Sequence, residues 1–458
     1  MSKWDAYQRG FLPYGFAAFL IGIVGGFSTV LGPAFVADRD LPYSATTWTA
    51  LAQAMSTAAC APILGRLGDS IGRKRTLLLG IGLFTLGNLW TALANSLAVM
   101  LLARFLTGLG IAAMAPVILA YIVTEFPEGK VAQGFSLYML ISSASVIFGP
   151  TLGGHLIAAR GWRGMQWVCV FLCAVIFALC LALPGKPEQK RKKTQHFDVW
   201  GAALVLVFFS LLLCLPSFGQ NFGWTSPGFL WVLAGVAVSL PVLVLVERRA
   251  AAPILPGRFF RRRGFLCSIL ALFLTQGLMQ ANMTNFIVFL RYTQPENTTL
   301  SGYAISVMYL GMSLGAVILG PMADRREPKE ILTASLLVTA LGCGSLLLFT
   351  EGTPGWLVMG SLGLLGFGLG GNGTIFLKAA LSGLSSEDAA TGTGTYGLFR
   401  DLAAPFGVAV FVPLFTNAAG DAPSAVSALR LLAMVELACV AGGIAIVRFL
   451  PAVHKKGA

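Results

Sequence analysis

Apolar runs of roughly 20 residues, separated by short polar punctuation, recur along the chain from Phe11 to Leu450. Each is long enough to cross a hydrocarbon layer about 30 Å thick as one helix, which satisfies its own backbone groups without water. The pattern predicts fourteen spans, at residues 11–36, 45–65, 76–95, 97–122, 132–157, 163–183, 199–217, 228–246, 264–290, 301–322, 331–350, 356–378, 391–416 and 428–450. Composition points the same way. The chain is 56% hydrophobic and 11% charged, against roughly 25% charged for a soluble domain. The first apolar run is too long for a cleaved leader and lacks a small-residue cleavage site, so it reads as the first span.

Charge then sets orientation. The net charge of +13 lies in short runs between spans, not in a patch interleaved with aromatic residues. That distribution marks topology and excludes a nucleic-acid surface. With a cytoplasmic N-terminus, Arg73 to Arg75, Lys190 to Lys193, Arg248 with Arg249, Arg261 to Arg263, Arg325 with Arg326, and Lys455 with Lys456 all fall inside. The outer loops keep Arg39, Arg160, Arg163 and Arg291, with Arg430 near the border. An even span count and this bias predict both termini in the cytoplasm. The eight cysteines sit inside apolar segments without a CxxC pair and read as free thiols used as small core residues.

One long polar stretch, GKPEQKRKKTQHF at Gly185 to Phe197, is too short and too charged to be a domain, so it reads as a linker. The segment GRLGDSIGRKR at Gly65 to Arg75 returns in weakened form as GPMADRREPK at Gly320 to Lys329. Two similar halves around a linker are the mark of a carrier built from repeats. The expected division is residues 1–183 and 264–458 as the two halves, the second ending in a short tail, with the linker and two spans at 184–263 between them.

Several motifs carry chemistry. In Gly65 to Arg75 the glycines permit a tight turn, while Asp69 can cap a helix N-terminus and pair with Arg73 in a contact that can make and break. Arg104 opens RFLTGLGIAA inside a span, where a charge must find a partner or a watered cavity. Gly149, Pro150, Gly153 and Gly154 thin and bend span 5 so that a neighbour can pack closely. Span 9 carries Thr275, Gln276, Gln280, Asn282, Thr284 and Asn285 among Met279, Met283 and Phe286. Amides beside soft thioethers suit an amphipathic ligand, and they equally suit hydrogen bonding between helices. Arg400, Asp401, Glu436 and, nearer the edge, Lys378 complete the ionisable groups at depth.

These motifs resemble the major facilitator superfamily. FDVWG at Phe197 to Gly201, FGWTSP at Phe222 to Pro227, ERRAAAPILPGRFFRRRGF at Glu247 to Phe265 and TGTGTYGLFRDLAAPFGVAV at Thr391 to Val410 resemble its fourteen-span drug:proton antiporter branch. The resemblance implies an all-α integral membrane fold of two six-helix bundles plus two inserted helices. It also implies proton-coupled secondary transport, with Arg104 tied to proton handling and the span 5 motif similar to an antiporter signature. Two positions depart from the pattern: Ser145 stands where a glycine is expected, and span 1 lacks the acidic residue common in drug exporters, since Asp38 lies only at its outer end. FLTQGLMQANMTNFIVFLRYTQPEN and LYMLISSASVIFGP are most similar to bacterial bile acid uptake permeases of that branch.

The expectation is therefore a proton-coupled carrier of an amphipathic organic solute, with bile acid uptake first and multidrug efflux as the alternative. Arg104, Asp401, Arg400, Asp69 and Arg73 are the candidates for proton coupling and gating. Gln276, Met279, Gln280, Met283, Asn285 and Arg400 are the candidates for binding solute. No catalysis, cofactor or metal is expected: the sequence holds no P-loop, and its three histidines are scattered. The partners are the solute, protons and the bilayer, with the protein acting as a monomer.

Overall fold

A computed structural model of the chain describes residues 3–41, 45–126, 131–183, 199–249, 255–295, 298–382, 384 and 386–450. The described residues are helical with short connections and no strand. In chain order the helices are α1 (Lys3–Asp38), α2 (Ala45–Ile71), α3 (Arg73–Leu93), α4 (Leu97–Glu125), α5 (Val131–Ala182), α6 (Val199–Phe222), α7 (Pro227–Arg249), α8 (Gly257–Phe260), α9 (Arg263–Thr293), α10 (Thr298–Arg325), α11 (Pro328–Ser345), α12 (Gly355–Gly370), α13 (Asn372–Leu381), α14 (Ser386–Thr416) and α15 (Ala422–Arg448). Eleven stretches among the described residues are long and apolar enough to cross a membrane, and Ala203–Pro216 is a shorter apolar helix. Large apolar side chains stand exposed along them, Phe171 at 71% and Trp231 at 79% among them, as a hydrocarbon solvent allows.

Two predicted spans share α5. Gly161 breaks it with φ 69°, a left-handed conformation that glycine adopts without strain. A Cβ placed on Gly153 would lie 3.4 Å from Met165 Sδ, whereas in a straight helix these residues would stand about 18 Å apart. The chain therefore folds back on itself. The first arm runs alongside α1, with Ile141 near Gly15 and Gly149 near Gly26. The second returns antiparallel to α1: Trp162 Nε1 donates to Asp38 Oδ2 at 2.9 Å, and Cys180 Sγ donates to the Pro13 carbonyl at 3.5 Å. The predicted span at 356–378 is interrupted at Gly371 between α12 and α13, but Gly371 keeps a helical φ of −83° and ψ of −16°, and Gly355–Leu381 continues as one apolar stretch.

The chain separates into two units, Met1–Leu41 with Trp48–Leu206 and Pro42–Thr47 with Val207–Ala458. Inside each unit the same helix contacts are built. In the first, Gly26 of α1 meets Gly149 of α5, Gly87 of α3 meets Thr107 of α4, and Gly110 of α4 meets Phe84 of α3. In the second, Gly277 of α9 meets Gly407 of α14, Gly342 of α11 meets Leu365 of α12, and Gly368 of α12 meets Thr339 of α11. One arginine closes each set: Arg163 donates to the Ala94 carbonyl at 3.0 Å, and Arg430 to the Phe349 carbonyl at 3.1 Å. Leu86-Gly87-Asn88 thus occupies the place that Leu341-Gly342-Cys343 fills in the second unit. Small residues dominate these contacts because helices in lipid are held by close packing rather than by exclusion of water. Ser145, where a glycine is expected, fits because its partner across the contact is Gly22.

The last long helix starts with a full capping box. Asp421 Oδ1 accepts from the Ser424 N–H at 2.9 Å, and Ser424 Oγ accepts from the Asp421 N–H at 2.8 Å. The Ser424 hydrogen bonds hold the Asp421 carboxyl below its usual range.

Candidate functional site

In the first unit the glycine-rich motif forms the turn between α2 and α3. Gly72 takes φ 104°, and its carbonyl accepts from the Thr76 N–H and hydroxyl at 3.0 and 2.9 Å. This reversal puts Arg73 and Lys74 in the first turn of α3, where they reach the ends of two other helices. Arg73 Nη1 pairs with Glu125 Oε1 at the end of α4, 3.3 Å away. Lys74 Nζ donates to the Leu181 and Leu183 carbonyls, where the second arm of α5 ends. Cations at helix C-termini complement the negative end of the dipole. The expected partner of Arg73 was Asp69, whose side chain lies outside the described residues. Glu125 was missed, and its signal was the first of two acidic residues, Glu125 and Glu128, closing the fourth apolar run.

Arg104 is 4% exposed on α4, within electrostatic reach of Cys169 on the second arm of α5. Its Nη1 makes no hydrogen bond among the described residues. Nearby, a buried amide pair joins α3 to the same arm: Gln166 Nε2 donates to Asn88 Oδ1 at 2.6 Å, and Asn88 Nδ2 donates to the Phe84 carbonyl at 2.8 Å. The pair is satisfied, whereas Arg104 Nη1 is left over among the described residues.

In the second unit the polar residues of α9 divide. Met283 and Asn285 are fully buried, and Asn285 Nδ2 donates to the Phe411 carbonyl of α14 at 3.3 Å. Gln276 and Gln280 are half-buried, and Gln276 Nε2 lies 3.9 Å from Met279 Sδ. Arg400 is exposed on α14, next to Asp401, whose side chain lies outside the described residues. Lys378 Nζ donates to the Ala323 carbonyl near the end of α10 at 2.7 Å, so the ammonium serves a helix terminus. An aromatic cluster that the sequence reading missed lies along the same helices. The Phe399 ring stands 5.7 Å from Phe209, 5.5 Å from Phe260 and 6.0 Å from Phe273, and Phe273 stands 5.5 Å from Phe406. These rings come from α6, α8, α9 and α14, and scattered phenylalanines in an apolar sequence give no hint that they converge.

Long apolar helices with lipid-facing aromatics, packed through glycines and holding isolated charges at depth, define a polytopic membrane carrier. The chain belongs to the Major Facilitator Superfamily, whose family model matches residues 14–408. It is similar to the multidrug resistance protein Stp of Mycobacterium tuberculosis, 28% identical over 79% of this chain and 67% of that one. It is also similar to the methylenomycin A resistance protein of Streptomyces coelicolor, 25% identical over 94% of this chain and 89% of that one. Among solved structures, a bacterial homologue of the human lysosomal transporter Spinster superposes with a TM-score of 0.69 at 13% identity, covering 98% of each chain. That likeness concerns the fold alone.

Proposed function

We propose that the chain is a proton-coupled exporter of amphipathic organic compounds, exchanging solute for protons across the inner membrane of a bacterium. The observation that carries this reading is similarity over most of the chain to relatives named for resistance to drugs and to methylenomycin A. The contact of Gly26 with Gly149, beside Pro150 in the antiporter-like motif, supports it. The aromatic cluster around Phe399 suits a planar apolar body, and the amides of Gln276 and Gln280 suit its polar groups. Met279, Met283, Asn285 and Arg400 complete the proposed solute site. Arg104, Arg400, Asp401, Asp69 and Arg73 serve coupling and gating.

Counting the α5 hairpin as two crossings, and adding α2 and α6 to the long apolar stretches, brings the span number to fourteen. We place both termini in the cytoplasm on the charge pattern. Bile acid uptake, the first substrate expectation, draws no support from the names of these relatives and becomes the second reading.

Vesicles of both orientations under an imposed pH gradient separate the two. Export predicts that ethidium accumulates only in inverted vesicles with an acidic interior. Accumulation of a steroid carboxylate in right-side-out vesicles, with no ethidium flux in inverted ones, would overturn export.

A further inference from the structure

The repeated helix contacts bring one ionisable residue into the interior of each unit at the same junction. With Arg163 in the place of Arg430, Cys169 on the second arm of α5 occupies the place of Glu436 on α15. Arg104 lies within electrostatic reach of Cys169. In the second unit the charge-bearing side chain is Glu436 itself, where α15 packs against α9 and α11. The packing there is tight, as Gly443 of α15 backs onto Thr275 of α9 and Leu336 of α11.

Glu436, Asn282 and Cys343 are each fully buried. The Asn282 amide and the Cys343 thiol lie beside the Glu436 carboxyl. Both carboxyl oxygens, and both polar atoms of Asn282, lack a hydrogen-bond partner of good geometry among the described residues. The titratable neighbours are the thiols of Cys343 and, on its own helix, Cys439. No cation of α9 or α11 pairs with it among the described residues: Arg263 and Arg291 stand at the two ends of α9, and Lys329 at the start of α11 donates to the Arg448 carbonyl at the far end of α15. On α14, Arg400 lies about two turns from the Gly407 contact with Gly277, and the Asp401 side chain is outside the described residues.

An ionised carboxylate sealed in such surroundings would be costly, since burial without a partner removes its hydration and returns nothing. A carboxylic acid suits the site. It offers an O–H to the Asn282 carbonyl oxygen and a C=O to the Asn282 amide, the complementary donor and acceptor that the amide lacks. We propose that Glu436, with Asn282 and Cys343 beside it, is a proton-binding site that couples solute movement to the proton gradient. One proton joins a carboxylate oxygen when the junction opens to one aqueous phase, and leaves when it opens to the other. The loaded, neutral form is the one compatible with closed packing, so the proton and the conformation select each other. In the first unit the matching junction holds a fixed cation instead, because arginine does not give up its proton.

The inference rests on the transporter reading, and the test separates the two. Purified full-length protein is placed in proteoliposomes with ethidium as probe. For one proton per ethidium, each unit of pH gradient supports about tenfold accumulation in the wild type. Glu436→Gln is expected to keep ethidium exchange without a gradient to within about twofold, to lose the pH dependence of that exchange, and to show no accumulation. Wild-type accumulation in the variant overturns the proposal, and so does an equal loss of exchange and accumulation, which is what a merely structural role would give. A second measurement needs no variant. Dicyclohexylcarbodiimide, an apolar reagent for protonated carboxyls, is expected to form an adduct at Glu436 by peptide mass mapping, fading as the pH is raised. Absence of that adduct at every pH overturns the proposal even if the variant does not fold. A wild type that moves no ethidium but labels at Glu436 counts against the export reading and leaves the proton site standing.

Discussion

The contact between Gly277 and Gly407 makes a demanding test of how the second unit is held together. A methyl group on Gly277 would lie 2.8 Å from Gly407 Cα, 3.1 Å from the Ala403 carbonyl oxygen and 3.2 Å from Gly407 N. Carbon atoms rest comfortably at about 3.5–4.0 Å, so α9 and α14 must part by roughly 1 Å. Backbone lies on the opposing side, and no flexible side chain is there to give way. Overpacking of this kind costs about 1–3 kcal/mol. Alanine returns up to about 1 kcal/mol through helix propensity, so the proper reference is Gly360→Ala on α12, where an added Cβ meets nothing within 4 Å. Gly277→Ala should be the less stable of the two by about 1–3 kcal/mol. At roughly 2–4 °C per kcal/mol for a unit of this size, the melting temperatures should differ by about 2–12 °C. Thermal unfolding in detergent followed with a thiol-reactive dye would read this directly, because Cys169, Cys173, Cys180 and Cys343 are buried and free in the folded state. A Gly277→Ala protein that melts with or above Gly360→Ala would refute the claim that close backbone approach governs this packing.

Asn88→Leu removes the 2.6 Å acceptor of the buried Gln166 amide, leaving it the Asn88 backbone carbonyl at 3.4 Å, and should lower stability by about 1–3 kcal/mol, whereas adding Gln166→Leu should recover most of the loss; the four melting temperatures of this cycle decide it. Glu125→Gln removes a partly exposed partner of Arg73, so stability should change by roughly 1 kcal/mol or less while ethidium flux falls; unchanged flux would show that the pair has no part in gating. The Asp421 carboxyl is held below its usual range by Ser424, so its contribution is present above about pH 3.9, the ordinary carboxyl value, and fades as the pH drops through the lower folded value. The melting temperature of the wild type should therefore exceed that of Asp421→Ala near neutral pH and approach it in strong acid.

The helices were legible in the sequence because a span announces itself by length and apolarity alone. The hairpin inside α5 was legible for the same reason: two runs met at Ala159-Arg160-Gly161, where only the positive φ of Gly161 had to be supplied by the structure. The break near Gly371 was not, since an apolar glycine-rich run reads the same whether or not its helix is interrupted. Contacts between distant helices were legible only where a motif flagged them. Gly149 was singled out, yet its partner Gly26 was one glycine among 54. The same limit explains the site. Arg104 stood out as a charge at depth, but its reach to Cys169 depends on the return of the α5 arm, which no local pattern encodes.

Glu436 shows the limit most clearly, because sequence position alone ranked it behind Asp401. The expectation placed Asp401, on the span at 391–416, among the coupling groups and left Glu436, on the span at 428–450, among the other ionisable groups at depth. Burial reverses part of that argument. The face of α15 that carries Glu436 also carries Leu429, Leu432, Ala433 and Val440, all closed from solvent, so this helix is peripheral on one side only. The repeat then explains why a single charge sits there. On the proposed mechanism, one ionisable group inside a tightly packed junction would make its opening depend on charge. A permanent cation in one unit and a titratable acid in the other would let the bound proton act on one unit alone, an asymmetry that a carrier driven by a single gradient can use to give its motion a direction.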